Sequence, residues 1–274
     1  MTAVGCALAA ASGAVAVWRY HMRRLRSEGL RAVAMTPPRL CGAWQRAYIK
    51  RMQGTSISSY DDTTKVRYLQ APTGHHIDMR VPAKGSGNEE DAFAGLTTVD
   101  SHSEDLENRP RYRVHWHAAW SLPKPVTLPV WRTFQAIVAG SHHTDDVGEA
   151  QFESPSAGSW LEWGDGYEEL WHPLESASGG AFVVLVGEQS LFITLQGVWA
   201  FCRDSRCNSS GVIFMYGSVV RDTYAVELVS SRGPVVSWQA GMTFCLEREW
   251  CAMIADDGLA KRWLGHMQKR KLDS

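Results

Sequence analysis

The chain reads as an all-β protein of short antiparallel strands, a barrel or a sandwich, closed off by a C-terminal helix. Three observations predict this. Between residues 76 and 81, Ile77, Met79 and Val81 alternate with His76, Asp78 and Arg80, the two-residue period of a strand with unlike faces. From Phe182 to Gln239, short apolar runs are separated by Gly, Asn, Asp or Pro, the spacing of an antiparallel barrel or sandwich. Last, Leu259, Trp263, Leu264 and Met267 recur at helical spacing behind Asp256-Asp257 and ahead of Lys269, Arg270 and Lys271. Acid first and base last suits the helix dipole, so residues 256–270 form an amphipathic helix that buries Leu259, Trp263 and Met267 on the sheet.

Composition narrows the function classes. A length of 274 residues suffices for one large β domain or two small ones. A formal net charge of -1 leaves no global field to attract nucleic acid. The 12 Trp residues exceed what such a length needs, and they sit in strand-like runs. They are bulky core filler or the walls of an aromatic-lined cavity. Six Cys are present, with Cys202 and Cys207 placed to bond across a hairpin in an oxidising compartment. Their spacings are looser than zinc-ligand pairs, so no metal is expected and free buried thiols are the default.

The elements follow in order. Residues 2–18 are small, apolar and uncharged; Arg19, His21, Arg23, Arg24 and Arg26 follow, with no acid before Glu28. This suits a membrane anchor, though the run is short of the roughly 20 residues a span needs, or an Arg-rich targeting peptide, or a plain exposed helix. A secretory signal would carry its positive charge ahead of the apolar run. The protein is therefore expected to be membrane-associated or organellar through this segment, with a cytoplasmic location as the alternative. Thr36-Pro37-Pro38 breaks any helix and sets a boundary: an anchor or targeting segment over 1–37, and a β domain over 38–274. The first 35 residues are expected to be dispensable for folding.

Strands are expected over 40–49, 63–70 and 76–82, with Thr63-Thr64 favouring extended backbone and Asp61-Asp62 closing a turn before it. Glu89–Ala94 reads as a short helical turn, Gly95–Ser101 and Arg111–Trp120 as strands, and Trp131–Val138 as a strand or strand-like connection. Gly164-Asp165-Gly166 marks a hairpin between strands over 159–163 and 167–173. His142, His143, Asp145 and Asp146 lie in a polar loop with nothing to set their spacing, and read as a solvated loop rather than a metal site.

The pattern Leu40-x-Gly42-x-Trp44-x-Arg46, Asp62-Thr63-Thr64-x-Val66-x-Tyr68-Leu69-Gln70 and Asp78-Met79-Arg80-Val81-Pro82 resembles a family of uncharacterised calycin-like proteins, related in shape to lipocalins and fatty-acid-binding proteins. The likeness is best over residues 38–82 and weaker around Val114–His117, Trp160–Trp163 and Val198–Asp204. It implies a fold and no catalytic residues. With it, the fold expected is one up-and-down antiparallel barrel of roughly ten strands with a C-terminal helix.

A barrel of this kind can hold a ligand. The first functional expectation is a non-enzymatic binding module for a small apolar or amphipathic ligand, with no cofactor. Its site residues are Arg67, Asp78, Arg80, His115, Trp116 and Glu162, and Glu162 and Glu169 are partners for the arginines. The second is an accessory or structural subunit of a membrane or organelle complex. The third is an enzyme using Asp78, His115 or Glu162 as acid or base; no phosphate loop, nucleophile elbow or zinc-protease helix supports it. His115 and His117 share one strand face and read as a satisfied pair.

Overall fold

The computed structural model describes residues 20–84 (save 21 and 25), 89–105, 108–123, 128–142, 146–153, 158–174, 182–195, 197–204, 211–220, 223–233, 242–244 and 252–255. Every strand pairing in it is antiparallel. Eight strands close into a barrel: β1 (Gly42–Gln53), β3 (Lys65–Gln70), β4 (His75–Val81), β5 (Asp91–Glu104), β6 (Pro110–Ser121), β7 (Val147–Phe152), β8 (Trp160–Gly164) and β9 (Tyr167–Pro173). They run up and down in sequence order, and β9 returns to pair with β1. The hairpin strand β2 (Ser56–Asp61) pairs with the far half of β1. The turn from β2 into β3 is built by Asp61, whose Oδ1 accepts from the Thr63 amide at 2.8 Å.

The remaining strands form a second sheet. It contains β10 (Phe182–Val186), β11 (Ser190–Leu195), β12 (Val198–Asp204), β13 (Val212–Val220), β14 (Thr223–Arg232), β15 (Thr243–Phe244) and β16 (Ala252–Ala255), in the order β15-β14-β13-β12-β11-β10-β16. The antiparallel barrel is thus present, but the strands are shared between it and this open sheet. Alternation along a strand does not encode which neighbour the strand chooses or where a ring closes; tilt and stagger decide that.

The β4 alternation shows how the layers join. Ile77 and Met79 point away from the barrel axis into a core shared with Val184, Ile193, Ala200 and Phe214 of the second sheet. His76, Asp78 and Arg80 consequently point inward. Cys202 lies in the same shared core as a buried free thiol.

Between β6 and β7 the chain forms a helix, α1 (Val130–Val138), where the sequence reads as a strand. Thr133, Phe134 and Ile137 are its buried residues, a helical spacing that seats Phe134 against Trp120. The run Val-Trp-Arg-Thr-Phe has strand composition; docking of one face overrides that weak preference. Likewise residues 91–94, expected as a helical turn, open β5.

The segment ahead of Pro37 is built into the molecule. Leu30 is 1% exposed and belongs to the shared core. Gly29 lies so near α1 that a Cβ there would stand 2.3 Å from the Trp131 carbonyl oxygen. Residues 34–36 then strap across the β3–β4 turn, with the Ala34 amide donating to the Thr73 carbonyl at 3.0 Å and the Thr36 amide to Pro72 at 3.2 Å. A break in helix geometry at Pro37 is therefore not an edge of the core. The apolar run 2–18, the strand expected over 235–239 and the helix expected over 256–270 lie outside the described residues. Among the described residues no helix is long and apolar enough to cross a membrane.

Candidate functional site

Small eight-stranded barrels are filled by side chains, and this one is filled largely by tryptophan. Trp160 and Trp171 are directly opposed on β8 and β9, and their rings stack with centroids 5.5 Å apart. Trp44 meets Trp160 edge-on at 5.8 Å, and Tyr68 packs against Trp171 at 5.8 Å. These rings occupy the interior together with Val66, Val114 and Phe152. Offset and edge-on packing of this kind adds to the apolar burial itself.

Beside this aromatic fill lies a pocket with charged walls. Its polar lining is Asp78, Arg80, Asp146 and Glu162; Tyr68, Phe93, Trp116, Trp160 and Trp171 complete it. The cavity is about 10 Å3 for a water-sized sphere, enough for about one water. Asp146, exposed, stands at its rim.

Each charged group has a distinct environment. Arg80 donates to Asp78 Oδ2 from Nε at 3.1 Å and from Nη2 at 2.8 Å. Its guanidinium carbon lies 5.4 Å from the centre of the Phe93 ring. Asp78 is 2% exposed, and its Oδ1 has no hydrogen-bond partner. Glu162 accepts from the Tyr167 hydroxyl at 2.8 Å and from Trp171 Nε1 at 3.0 Å. Behind it, Glu169 Oε1 accepts from Arg46 Nη1 at 2.9 Å, while Glu169 Oε2 has no partner.

Burial and crowding of like charges set the proton affinities. Burial first, and the Glu169 carboxylate second, push Glu162 well above the usual carboxylate range. Burial raises Asp78 against the opposing pull of Arg80. Partial loss of hydration against the cavity wall lifts Asp146 to about 6, a shift that Arg80 opposes and Asp78 and Glu169 reinforce. The site therefore holds its carboxyl groups more protonated than water would, as desolvated, mutually repelling acids do.

Of the six residues picked out in the sequence, Asp78, Arg80, Trp116 and Glu162 come together here. Arg67 does not. It shares a strand face with Lys65 and Leu69, and Leu69 is in the core outside the barrel, so Arg67 lies outside as well. There its Nη1 donates to the Val66 carbonyl at 3.1 Å. His115 is also outside: Trp116 points inward, and neighbours along a strand point oppositely. His115 Nε2 lies 2.6 Å from Asp100 Oδ2, and its ring stacks on His117.

Tyr68, Phe93, Asp146, Trp160, Trp171 and the Arg46–Glu169 pair complete the site and its backing. Part of this was readable. Two strands joined by Gly164-Asp165-Gly166 pair Trp160 with Trp171 and Glu162 with Glu169, as β8 and β9 do. Asp146 carried no such signal, because a loop has no register.

No family model matches the sequence, and no curated protein matches it. Among solved structures, a crystal structure of the uncharacterized protein YLR301w from Saccharomyces cerevisiae is similar at 15% identity, with a TM-score of 0.46, over 70% of this chain and 85% of that one.

Proposed function

We propose that the chain is a non-catalytic binding module on a calycin-like barrel, and that the pocket at Asp78, Arg80 and Glu162 receives the polar end of a small amphipathic ligand. One observation carries this reading: Asp78 keeps a buried oxygen without a partner on the wall of a pocket whose rim is in water. An unpaired buried acceptor on a charged group is expensive, and a bound group that donates to it removes the expense. The histidine–carboxylate pair His115–Asp100 lies on the outer wall, away from the pocket.

Native mass spectrometry of the full-length chain tests the reading. A small molecule retained by the wild type and lost by Glu162→Gln supports it. Identical masses for both, matching the bare chain, overturn it.

A second reading is favoured by the aromatic fill. A barrel whose interior leaves room for about one water suits a scaffold, here an accessory subunit of a larger membrane or organelle complex. In that case native mass spectrometry from the producing cell finds a protein partner and no small molecule.

A further inference from the structure

We infer that the corner formed by the helix ending at Leu30, the strap at residues 34–36 and α1 docks on an anionic lipid bilayer, with the apolar run 2–18 entering the acyl region. The inference is independent of the pocket.

Two kinds of side chain gather on this corner. Of the eight large hydrophobic side chains exposed among the described residues, five lie here. Tyr20, Val33 and Met35 belong to the N-terminal segment, and Leu128 and Val138 lie at the two ends of α1. Met35 is 81% exposed and Tyr20 71%, the two largest values among them. Around them stand Arg23, Arg24, Arg26, Arg31 and Arg132, all exposed. α1 contains no acid, and Glu28 and Glu188 are taken up by Arg24 and Arg26. Among the described residues, Arg23 and Arg31 have no ion pair. The net charge of -1 over the whole chain conceals this local surplus.

Contacts tie the corner to one end of the barrel. Gly29 packs on Trp131 and Gln135 of α1, and Leu30 enters the shared core. Ala34 and Thr36 donate across the β3–β4 turn. Phe134 of α1 packs on His75, the first residue of β4, which places α1 at that same end.

Charge and apolar surface together select the occupant. Arginines attract anionic headgroups, while Tyr, Leu, Val and Met settle at the headgroup–acyl boundary. Ahead of Arg19, residues 2–18 carry no charge. That run is short of a span, but it adds apolar area to insert beside the basic surface. A nucleic acid would match the arginines and leave the apolar side chains in water.

Docking through this corner sets an orientation. β1 begins beside the β3–β4 turn and runs 12 residues to its pairing with β2. The strapped end therefore faces the lipid, and β2 points away from it.

The test mixes the full-length chain with vesicles of phosphatidylcholine, with and without phosphatidylserine. Co-sedimentation is expected to be at least about tenfold stronger with phosphatidylserine and to weaken as salt rises. Arg23→Gln/Arg24→Gln/Arg26→Gln is expected to weaken it about a hundredfold. The Tm of that variant should stay close to wild type, because the ion pairs it removes are exposed. Arg31→Gln/Arg132→Gln is expected to weaken binding at least about tenfold; an anchor acting through residues 2–18 alone would not respond. A fluorescent residue replacing Val138 should be quenched by brominated lipid, and one replacing Ile57 on β2 should not.

Equal binding to both vesicles overturns the inference, and so does binding that ignores the arginine substitutions. Equal quenching at the two positions overturns the orientation. Binding to neither vesicle, with a protein captured instead, overturns the lipid as occupant.

Discussion

Glu162 on β8 and Glu169 on β9 stand directly opposite each other with both side chains turned into the barrel, and only Glu169 has an arginine on it. Like charges in that relationship repel across the strand pair. Burial, and then the Glu169 charge, raise the Glu162 carboxyl well above the usual carboxylate range, and its oxygens accept only from the neutral donors of Tyr167 and Trp171.

That relationship predicts a pH-dependent gain from Glu162→Gln. The folded state holds Glu162 well above its ordinary value of 4.5. A carboxyl shifted upward stabilises the fold fully below the unfolded pKa, and that contribution is lost as pH rises through the folded pKa. The glutamine variant has no proton to lose, and the Tyr167 hydroxyl reverses its role to accept. Its Tm relative to wild type is expected to climb as pH rises above about 4.5, until Glu162 ionises in the folded chain as well. A difference that stays flat over that range would mean Glu162 is ionised in the folded chain.

Arg80→Ala removes the cation from a carboxylate that is 2% exposed. Breaking a buried pair by deleting one partner costs about 3–5 kcal/mol, and the lower figure is expected because part of the Arg80 side chain reaches solvent. Asp78→Asn in the same chain should recover much of the loss. Denaturant unfolding of both variants checks this, and an Arg80→Ala midpoint indistinguishable from wild type would show that the pair contributes nothing.

Leu30 predicts the cost of shortening the chain. Its side chain lies in the core shared by the barrel and the second sheet. Leu30→Ala is expected to cost about 2–5 kcal/mol. A chain beginning at Met35 loses Leu30 altogether, so it should melt lower than a chain beginning at Tyr20. Equal melting temperatures for those two chains would show residues 20–34 to be dispensable after all.

His75 predicts the response to acid. Burial pushes both His75 and His76 down from 6.5 to about 3. A depressed histidine binds its proton more readily in the unfolded chain, so stability falls as pH drops below about 6.5, and continues to fall toward pH 3. His75 packs edge-on against Phe134 at 5.3 Å, a contact that phenylalanine can replace. His75→Phe is expected to lose less stability than wild type between pH 6.5 and 4, in urea titrations at each pH. Parallel losses would remove His75 from the acid response. This effect runs opposite in sign to that of Glu162, so only the variant-minus-wild-type difference isolates either group.

The sequence by itself determined where most strands lie and which residues share a face. Alternation from His76 to Val81 divides Asp78 and Arg80 from Ile77 and Met79 because successive side chains must point to opposite faces, whatever surrounds them. The Gly164-Asp165-Gly166 turn pairs Glu162 with Glu169 because a tight hairpin leaves little freedom of register. Tertiary structure decided the rest. Whether an inward face meets a lumen or a second sheet depends on which strands close the ring, and closure depends on tilt and stagger that no local pattern carries. Arg67 fell outside and Arg80 inside for that reason, although both alternate with apolar neighbours. Packing also turned Val130–Val138 into a helix against its strand-like composition, and drew Leu30 into the core from beyond a proline break. In each case the free energy of burying apolar surface at a distant contact outweighed a local preference worth a fraction of a kcal/mol per residue.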